Sequence, residues 1–148
     1  MYAPYSRDYA PWLLLLTGLF AFRVFAQLAT LQFAIPFLPN FEAWHSGSMP
    51  YGLLVFFQLV ILGLMIRTTH RAWKGSLLGT VKLGRFLWGF GAVYLGLMLG
   101  RLILGQTVLE DVRFFANTIT TSFHFVLAGF VLITAHVLKN KNRGVQYV

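Results

Sequence analysis

The feature that most constrains this chain is a series of four apolar runs, each close to the length of a membrane-crossing helix. The runs cover about residues 11–35, 50–66, 83–104 and 118–138. A helix needs about 20 residues to cross the hydrocarbon core of a bilayer. Only 11% of the 148 residues are charged, where a soluble domain carries about 25%. The sequence therefore predicts an all-α integral membrane bundle of four helices, formed by residues 1–148 as a single domain.

The basic residues predict how this bundle lies in the membrane. Between the second and third runs stand Arg67, Arg71, Lys74 and Lys82, and Arg85 lies at the start of the third run. After the fourth run stand Lys139, Lys141 and Arg143. Residues 36–49 contain no Lys or Arg. Because positive residues collect on the cytoplasmic side, we predict an antiparallel bundle with both termini cytoplasmic, in a bacterial inner (cytoplasmic) membrane. The basic residues form no groove on a polar fold, so we expect a lipid bilayer and no nucleic acid as partner.

Two arginines interrupt the apolar runs. Arg23 lies near the middle of the first run and Arg101 lies within the third. A guanidinium keeps its proton at any ordinary pH, and at bilayer depth it costs about 3 kcal/mol or more. Each arginine is therefore expected to face the protein interior, a polar ligand or a water-filled cavity.

Further polar residues fall into the same depth band. Gln27 follows Arg23 by one helical turn, Gln58 lies in the second run, Tyr94 precedes Arg101 by two turns, and His124 lies in the fourth run. From a rise of about 1.5 Å per residue, these groups lie between the midplane and about 10 Å toward the outside. One interpretation is structural, with glutamines bonded across helices, Arg23 on backbone carbonyls and Arg101 on Glu110 or Asp111. The other is a ligand-binding pocket for a quinone carbonyl, a lipid phosphate or a fatty carboxylate, which two arginines favour because they carry many donors.

The third run also carries a face of small residues, at Gly89, Ala92, Gly96 and Gly100. Small residues allow helix backbones to approach closely in membranes. This face predicts tight packing against another helix.

The connection between the first two runs is unusually apolar, with Phe37, Leu38 and Phe41 in the outer loop. Such a segment is expected to fold back over the mouth of the bundle as a lid. Within it, Glu42, Trp44 and His45 are the candidate lid residues, and Glu42 and His45 are close enough in sequence to touch if the stretch is helical.

No motif identifies a reaction. The chain has no cysteine, and no nucleophile, histidine and acid share one depth band, so the catalytic residues stay unknown and we expect no catalytic activity of the chain on its own. We also predict no metal site. A b-type haem is the third functional hypothesis, but His124 and His136 are twelve residues apart and hence about 120° apart around their helix.

Residues 18–66 resemble the DoxX-like membrane proteins. The similarity comprises an arginine in the first span, an apolar first loop and a polar residue in the second span, Phe57-Gln58-Leu59-Val60-Ile61-Leu62-Gly63. That family is similar to the membrane subunit of thiosulfate:quinone oxidoreductase. It typically has glutamate where this chain has Gln58, and a lysine near the end of the first span that is missing here. The resemblance implies a four-helix fold and an association with quinones or respiratory partners.

These observations lead to one functional hypothesis and one alternative of another class. The hypothesis is a small membrane protein, associated with electron transfer as an accessory subunit, that binds a quinone-like or anionic amphiphile with Arg23, Gln27, Gln58, Tyr94, Arg101 and His124. The alternative is a purely structural accessory subunit of a larger membrane complex. The expected protein partners are subunits of such a complex or further copies of this chain as a homo-oligomer. Quinone is the cofactor that the first hypothesis implies.

Overall fold

The computed structural model describes residues 5–33, 36–39, 50–107 and 118–141. These residues form four α-helices, namely α1 (Tyr5–Gln32), α2 (Tyr51–Trp73), α3 (Val81–Thr107) and α4 (Thr118–Lys139). All four are long and apolar enough to cross a membrane. The predicted all-helical architecture with four candidate spans is confirmed.

The helices extend beyond the apolar runs that predicted them. The first helix begins at Tyr5 with Pro11 inside it, so the predicted start at residue 11 is wrong. Similarly, α2 continues from residue 66 to Trp73. Hydropathy marks only the part of a helix that suits hydrocarbon, whereas polar residues such as Arg67 and His70 continue the backbone hydrogen bonds equally well. Proline removes one backbone donor, and α1 stays helical on both sides of it.

Short-range hydrogen bonds define where α2 ends and where α3 begins. Gly75 has a positive φ of 71°, its N–H donates to the carbonyl of Ala72, and the Ser76 N–H donates to the carbonyl of Arg71, both at 2.9 Å. This pair of bonds is a Schellman motif, for which glycine is the favoured residue because it lacks a Cβ. Five residues later, the Thr80 hydroxyl accepts a bond of 3.2 Å from the Leu83 N–H. Thr80 is thus the N-cap of α3.

A buried seam runs the length of α1. It consists of positions spaced alternately four and three residues apart, Ser6, Ala10, Leu13, Thr17, Phe20, Val24 and Gln27. This spacing keeps one stripe of a helix turned toward its neighbours. In contrast, Phe22 and Phe25 are 55% and 66% exposed. The seam is therefore more polar than the outer surface, which suits helices surrounded by lipid.

The helices are ordered α2–α1–α4–α3 by their contacts. The extensive contacts are those of α1 with α2, α1 with α4, and α4 with α3, whereas α2 and α3 make few contacts with each other. Near the start of α1, the Ser6 hydroxyl donates to the carbonyl of Ala72 at 3.3 Å. The Tyr9 hydroxyl lies 3.4 Å from Nε2 of His136 near the end of α4. The described part of the bundle is consequently open along the side between α2 and α3.

Two glycines of α3 allow its close approach to α4. A Cβ at Gly84 would lie 2.6 Å from the backbone nitrogen of Lys139, and one at Gly91 would lie 2.9 Å from the side chain of Leu132. Among the described residues, the predicted face of small residues packs against no other helix. A Cβ at Gly89, Gly96 or Gly100 would meet no atom of another described element within 4 Å, because these residues lie away from α4.

We predict that Gly84→Ala destabilises the protein, whereas Gly89→Ala does not. The added methyl group at Gly84 collides with the α4 backbone, and forced repacking of this kind costs about 1–3 kcal/mol. At Gly89 the methyl enters open space and gains about 0.5–1 kcal/mol of helix propensity. Thermal unfolding in detergent measures the difference, and equal Tm values for the two variants would contradict this packing.

Candidate functional site

The candidate site lies where polar side chains of all four helices meet. We call it the dibasic cluster, and its members are Arg23 and Gln27 on α1, Gln58 on α2, Tyr94 and Arg101 on α3, and His124 on α4. The two arginines are 5% and 8% exposed, and the two glutamines are 0% and 4% exposed. Tyr94 and His124 are partly buried.

The two glutamines connect α1 and α2. The Gln58 side-chain amide donates to Oε1 of Gln27 at 3.0 Å, as the structural interpretation of the sequence predicts. The amide N–H₂ of Gln27 is buried and has no hydrogen-bond partner among the described residues. A buried donor without an acceptor costs about 1–3 kcal/mol. Gln27 therefore offers a donor to the interior of the bundle.

Tyr94 and His124 connect α3 and α4. The Tyr94 hydroxyl and Nδ1 of His124 share a hydrogen bond of 2.5 Å, and the two rings meet edge to face at 79°. Phe90 stacks on Tyr94, with ring centroids 6.0 Å apart and ring planes 5° apart. These contacts hold the phenol and the imidazole in fixed orientations, so the pair can present a polar edge of defined geometry.

Arg23 contacts an aromatic ring and no described acid. Its guanidinium carbon lies 5.4 Å from the centre of the Phe123 ring. Such a cation–π contact stabilises a desolvated cation by about 2 kcal/mol, which is less than the several kcal/mol that burial of a charge costs. The Nε atom of Arg23 is buried and has no hydrogen-bond partner among the described residues. Arg23 and Gln27 thus present two unsatisfied donors one turn apart on the same helix.

Both arginines act on the Tyr94–His124 pair. The guanidinium groups of Arg23 and Arg101 each interact electrostatically with the Tyr94 hydroxyl and with the His124 ring. Within the described residues the one acid is Asp8 in the first turn of α1, about 22 Å along the helix from Arg23. The described part of the cluster is therefore cationic and rich in donors.

Several predicted residues fall elsewhere. The lid residues Glu42, Trp44 and His45, and the acids Glu110 and Asp111 that were candidate partners of Arg101, lie outside the described residues. His70 is exposed. The His136 ring lies near the Tyr9 hydroxyl and the Asn140 amide, at 3.4 Å and 3.2 Å. Among the described residues, no three His, Cys, Asp or Glu side chains form a group that could hold a metal ion.

Two contacts between helices were not predicted from the sequence. Phe123 covers Arg23, but it is one of 15 phenylalanines, and its position directly before His124 was the only signal. Thr17 on α1 and Thr69 on α2 share a hydrogen bond of 3.0 Å between their hydroxyl groups. Each threonine lies in the buried stripe of its helix, at the same helical spacing as the neighbouring apolar residues. This spacing could have identified the contact.

In comparisons with known proteins, no family model, no curated protein and no solved structure matches this chain. The chemistry of the site must therefore be argued from its own residues. Guanidinium and amide N–H groups bind acceptor atoms, and arginine matches planar oxygen pairs such as carboxylate and phosphate. The arrangement is suited to an acceptor-rich group that enters a dry interior.

We predict that Gln27 and Gln58 are energetically coupled. In lipid-stripped protein, Gln27→Leu or Gln58→Leu alone leaves a buried amide without its partner, whereas the double variant removes both groups. The coupling free energy from a double-mutant cycle should be about 0.6 kcal/mol or more, as for interhelical hydrogen bonds in membranes. The control cycle pairs Gln27→Leu with Thr69→Val, which do not touch. Additive free energies of unfolding for the glutamine pair would contradict the contact.

Proposed function

We propose that this chain is an integral membrane protein that binds a quinone-like or anionic amphiphile in the dibasic cluster. The proposal rests on the Nε–H of Arg23. This donor belongs to a permanently charged guanidinium, is buried, and has no acceptor among the described residues. A charge held in low dielectric is normally paired. An acceptor-rich headgroup would supply the missing partner, and it would also accept from the Gln27 amide one turn away.

Each member of the cluster has a role in this proposal. Arg23 and Arg101 provide charge and hydrogen bonds to the oxygen atoms of the ligand, while Gln27 adds an amide donor held in place by Gln58. The Tyr94–His124 pair orients the polar head. The ligand is an amphiphile because the surrounding helix surfaces are apolar, and the side between α2 and α3, which make few contacts, is the expected entrance from the bilayer.

The association with electron transfer rests on the resemblance of residues 18–66 to DoxX-like proteins. We infer that the ligand belongs to the quinone class and that the chain holds it as an accessory subunit next to a respiratory partner. The glutamine at position 58 keeps a hydrogen-bonding side chain where that family has a carboxylate. Because the amide is neutral, it does not offset the charge of the two arginines, and this favours a ligand with negative or strongly accepting oxygens.

The proposal includes an antiparallel bundle with both termini on the cytoplasmic side. The start of α1 contacts the end of α2 through Ser6 and the end of α4 through Tyr9. The N-terminal end of α1, the connection 74–80 with the basic helix ends that flank it, and the C-terminal end of α4 therefore share one end of the bundle. The positive-inside rule assigns that end to the cytoplasm.

Single cysteines test this orientation, because the chain has none of its own. In intact cells a membrane-impermeant maleimide should label Leu38→Cys, and it should label Lys74→Cys only after the membrane is opened. Asn140→Cys should behave as Lys74→Cys does. Labelling of position 74 in intact cells would reverse the orientation.

We predict that Arg23→Met loses the ligand and stabilises the empty protein. Methionine fills similar space without a charge. Replacing even a buried ion pair with apolar side chains of similar volume is often neutral or stabilising by about 1–4 kcal/mol, so removal of an unpaired buried charge is expected to stabilise. Native mass spectrometry of gently extracted protein should show ligand content reduced by about tenfold or more, while Tm of the stripped protein rises. The matched control is Arg7→Met, an exposed arginine on the same helix, which should change neither quantity. Wild-type ligand content in Arg23→Met would refute the proposal.

A structural subunit is the second candidate, and one observation favours it. Gly96 and Gly100 form a small-residue step on α3 that no described residue covers, and such steps pack helices of separate chains in membranes. The same mass spectra separate the two candidates. Neighbouring proteins bound at fixed stoichiometry to a chain without ligand would favour the structural role, and a ligand-bearing monomer or homodimer would count against it.

A further inference from the structure

We propose that a second site, distinct from the dibasic cluster, binds an anionic glycerophospholipid in a groove between α2 and α3. The groove has a volume of about 250 Å³, and α4 forms its floor. Its lining comprises Leu64, Arg67, Thr68 and Arg71 of α2, Leu77 and Leu78 of the connection, Leu83 and Leu87 of α3, and Thr134 and Leu138 of α4. In the orientation proposed above, it opens to the cytoplasmic leaflet.

The lining combines an apolar wall with two cations and no acid. Leu64, Leu78 and Leu83 are 57%, 60% and 42% exposed, so they offer hydrocarbon surface along which acyl chains can lie. Arg67 and Arg71 are one turn apart on α2 and therefore share a face. Because the groove volume of about 250 Å³ lies just below that of small-molecule pockets, the groove suits a phosphate with its glycerol, while the acyl chains extend into the bilayer.

Thr134 provides an independent indication of a ligand. It is 8% exposed, it lines the groove, and its hydroxyl has no hydrogen-bond partner among the described residues. Three other helical threonines bond to the carbonyl four residues earlier: Thr17 to Leu13 at 2.7 Å, Thr30 to Ala26 at 2.9 Å and Thr107 to Ile103 at 2.8 Å. The Thr134 hydroxyl does not make this bond, so its O–H is available to donate to a group inside the groove.

The depths of these groups match the polar part of a lipid. Arg71 is about 3 Å and Arg67 about 9 Å along the helix from the end of α2, and Thr134 is about 7 Å from the end of α4. A phosphate held by Arg71 and Arg67 would thus place its ester carbonyls near the Thr134 hydroxyl. Basic pockets between helices on the cytoplasmic side bind anionic headgroups, and each arginine near the surface favours them.

Lipid titration of delipidated protein in detergent tests this site, with binding counted by native mass spectrometry. Phosphatidylglycerol should bind wild-type protein, and Arg67→Gln/Arg71→Gln should weaken that binding by about tenfold or more. The matched control is Lys82→Gln/Arg85→Gln, which removes the same charge from exposed positions of α3 outside the groove and should leave affinity unchanged. Equal losses in both double variants, or equal binding of phosphatidylcholine, would overturn the proposal.

Thr134→Val separates a ligand role from a structural one. Removing a buried hydroxyl without a partner should leave Tm of the delipidated protein unchanged or higher, yet weaken phosphatidylglycerol binding by about fivefold. Unchanged affinity in Thr134→Val would contradict the site. Inorganic phosphate should not compete at equal concentration, and if it did, the groove would be a phosphate site rather than a lipid site. Because Arg23→Met leaves the groove intact, one phosphatidylglycerol should still bind this variant, and that lipid should be lost only when Arg67→Gln/Arg71→Gln is added. Loss from the dibasic cluster and loss from the groove are thus counted separately, and the two proposals fail independently.

Discussion

Burying the charged guanidinium of Arg23 between helices costs free energy that its surroundings must offset. Arg23 is buried beside Phe123, in a region where water cannot solvate its charge and where the ring face offsets only part of the cost. Arg101 adds a second positive charge near the same Tyr94–His124 pair. The interior therefore favours negative or strongly accepting atoms. This preference, rather than any shape of the bundle, is the basis for assigning it a ligand.

The fold places this charge at the junction of two helix pairs. Because α1 packs against both α2 and α4, its seam must satisfy partners on two sides, and it does so with small or polar groups such as Ser6, Thr17 and Gln27. The α3 helix is held differently, by the close approach that Gly84 allows. As a result, α2 and α3, the first and last helices in the order α2–α1–α4–α3, leave a space between them. The proposed lipid groove and the expected entrance to the dibasic cluster both lie in this space.

The sequence was sufficient for the four apolar helices, because hydropathy and helical spacing are local properties. It predicted that Gln27 and Gln58 would meet, since both lie in apolar runs at compatible depth. It did not predict that α4 would approach α3 at Gly84 and Gly91. Small residues indicate a helix face that can pack closely, but they do not indicate which neighbouring helix lies against it. Nor could it identify Phe123 or the groove at Thr134, which depend on how helices distant in sequence are placed.

A side-chain-resolution structure of the protein, extracted with its native lipids into nanodiscs, tests most directly whether a ligand is the partner of Arg23. We expect non-protein density within hydrogen-bond distance of Nε of Arg23 and of the Gln27 amide. The contradictory result is a carboxylate of the chain itself, from Glu42, Glu110 or Asp111, bonded to Arg23 in that position. In that case the charge would be neutralised internally, and the cluster would serve only to hold the helices together.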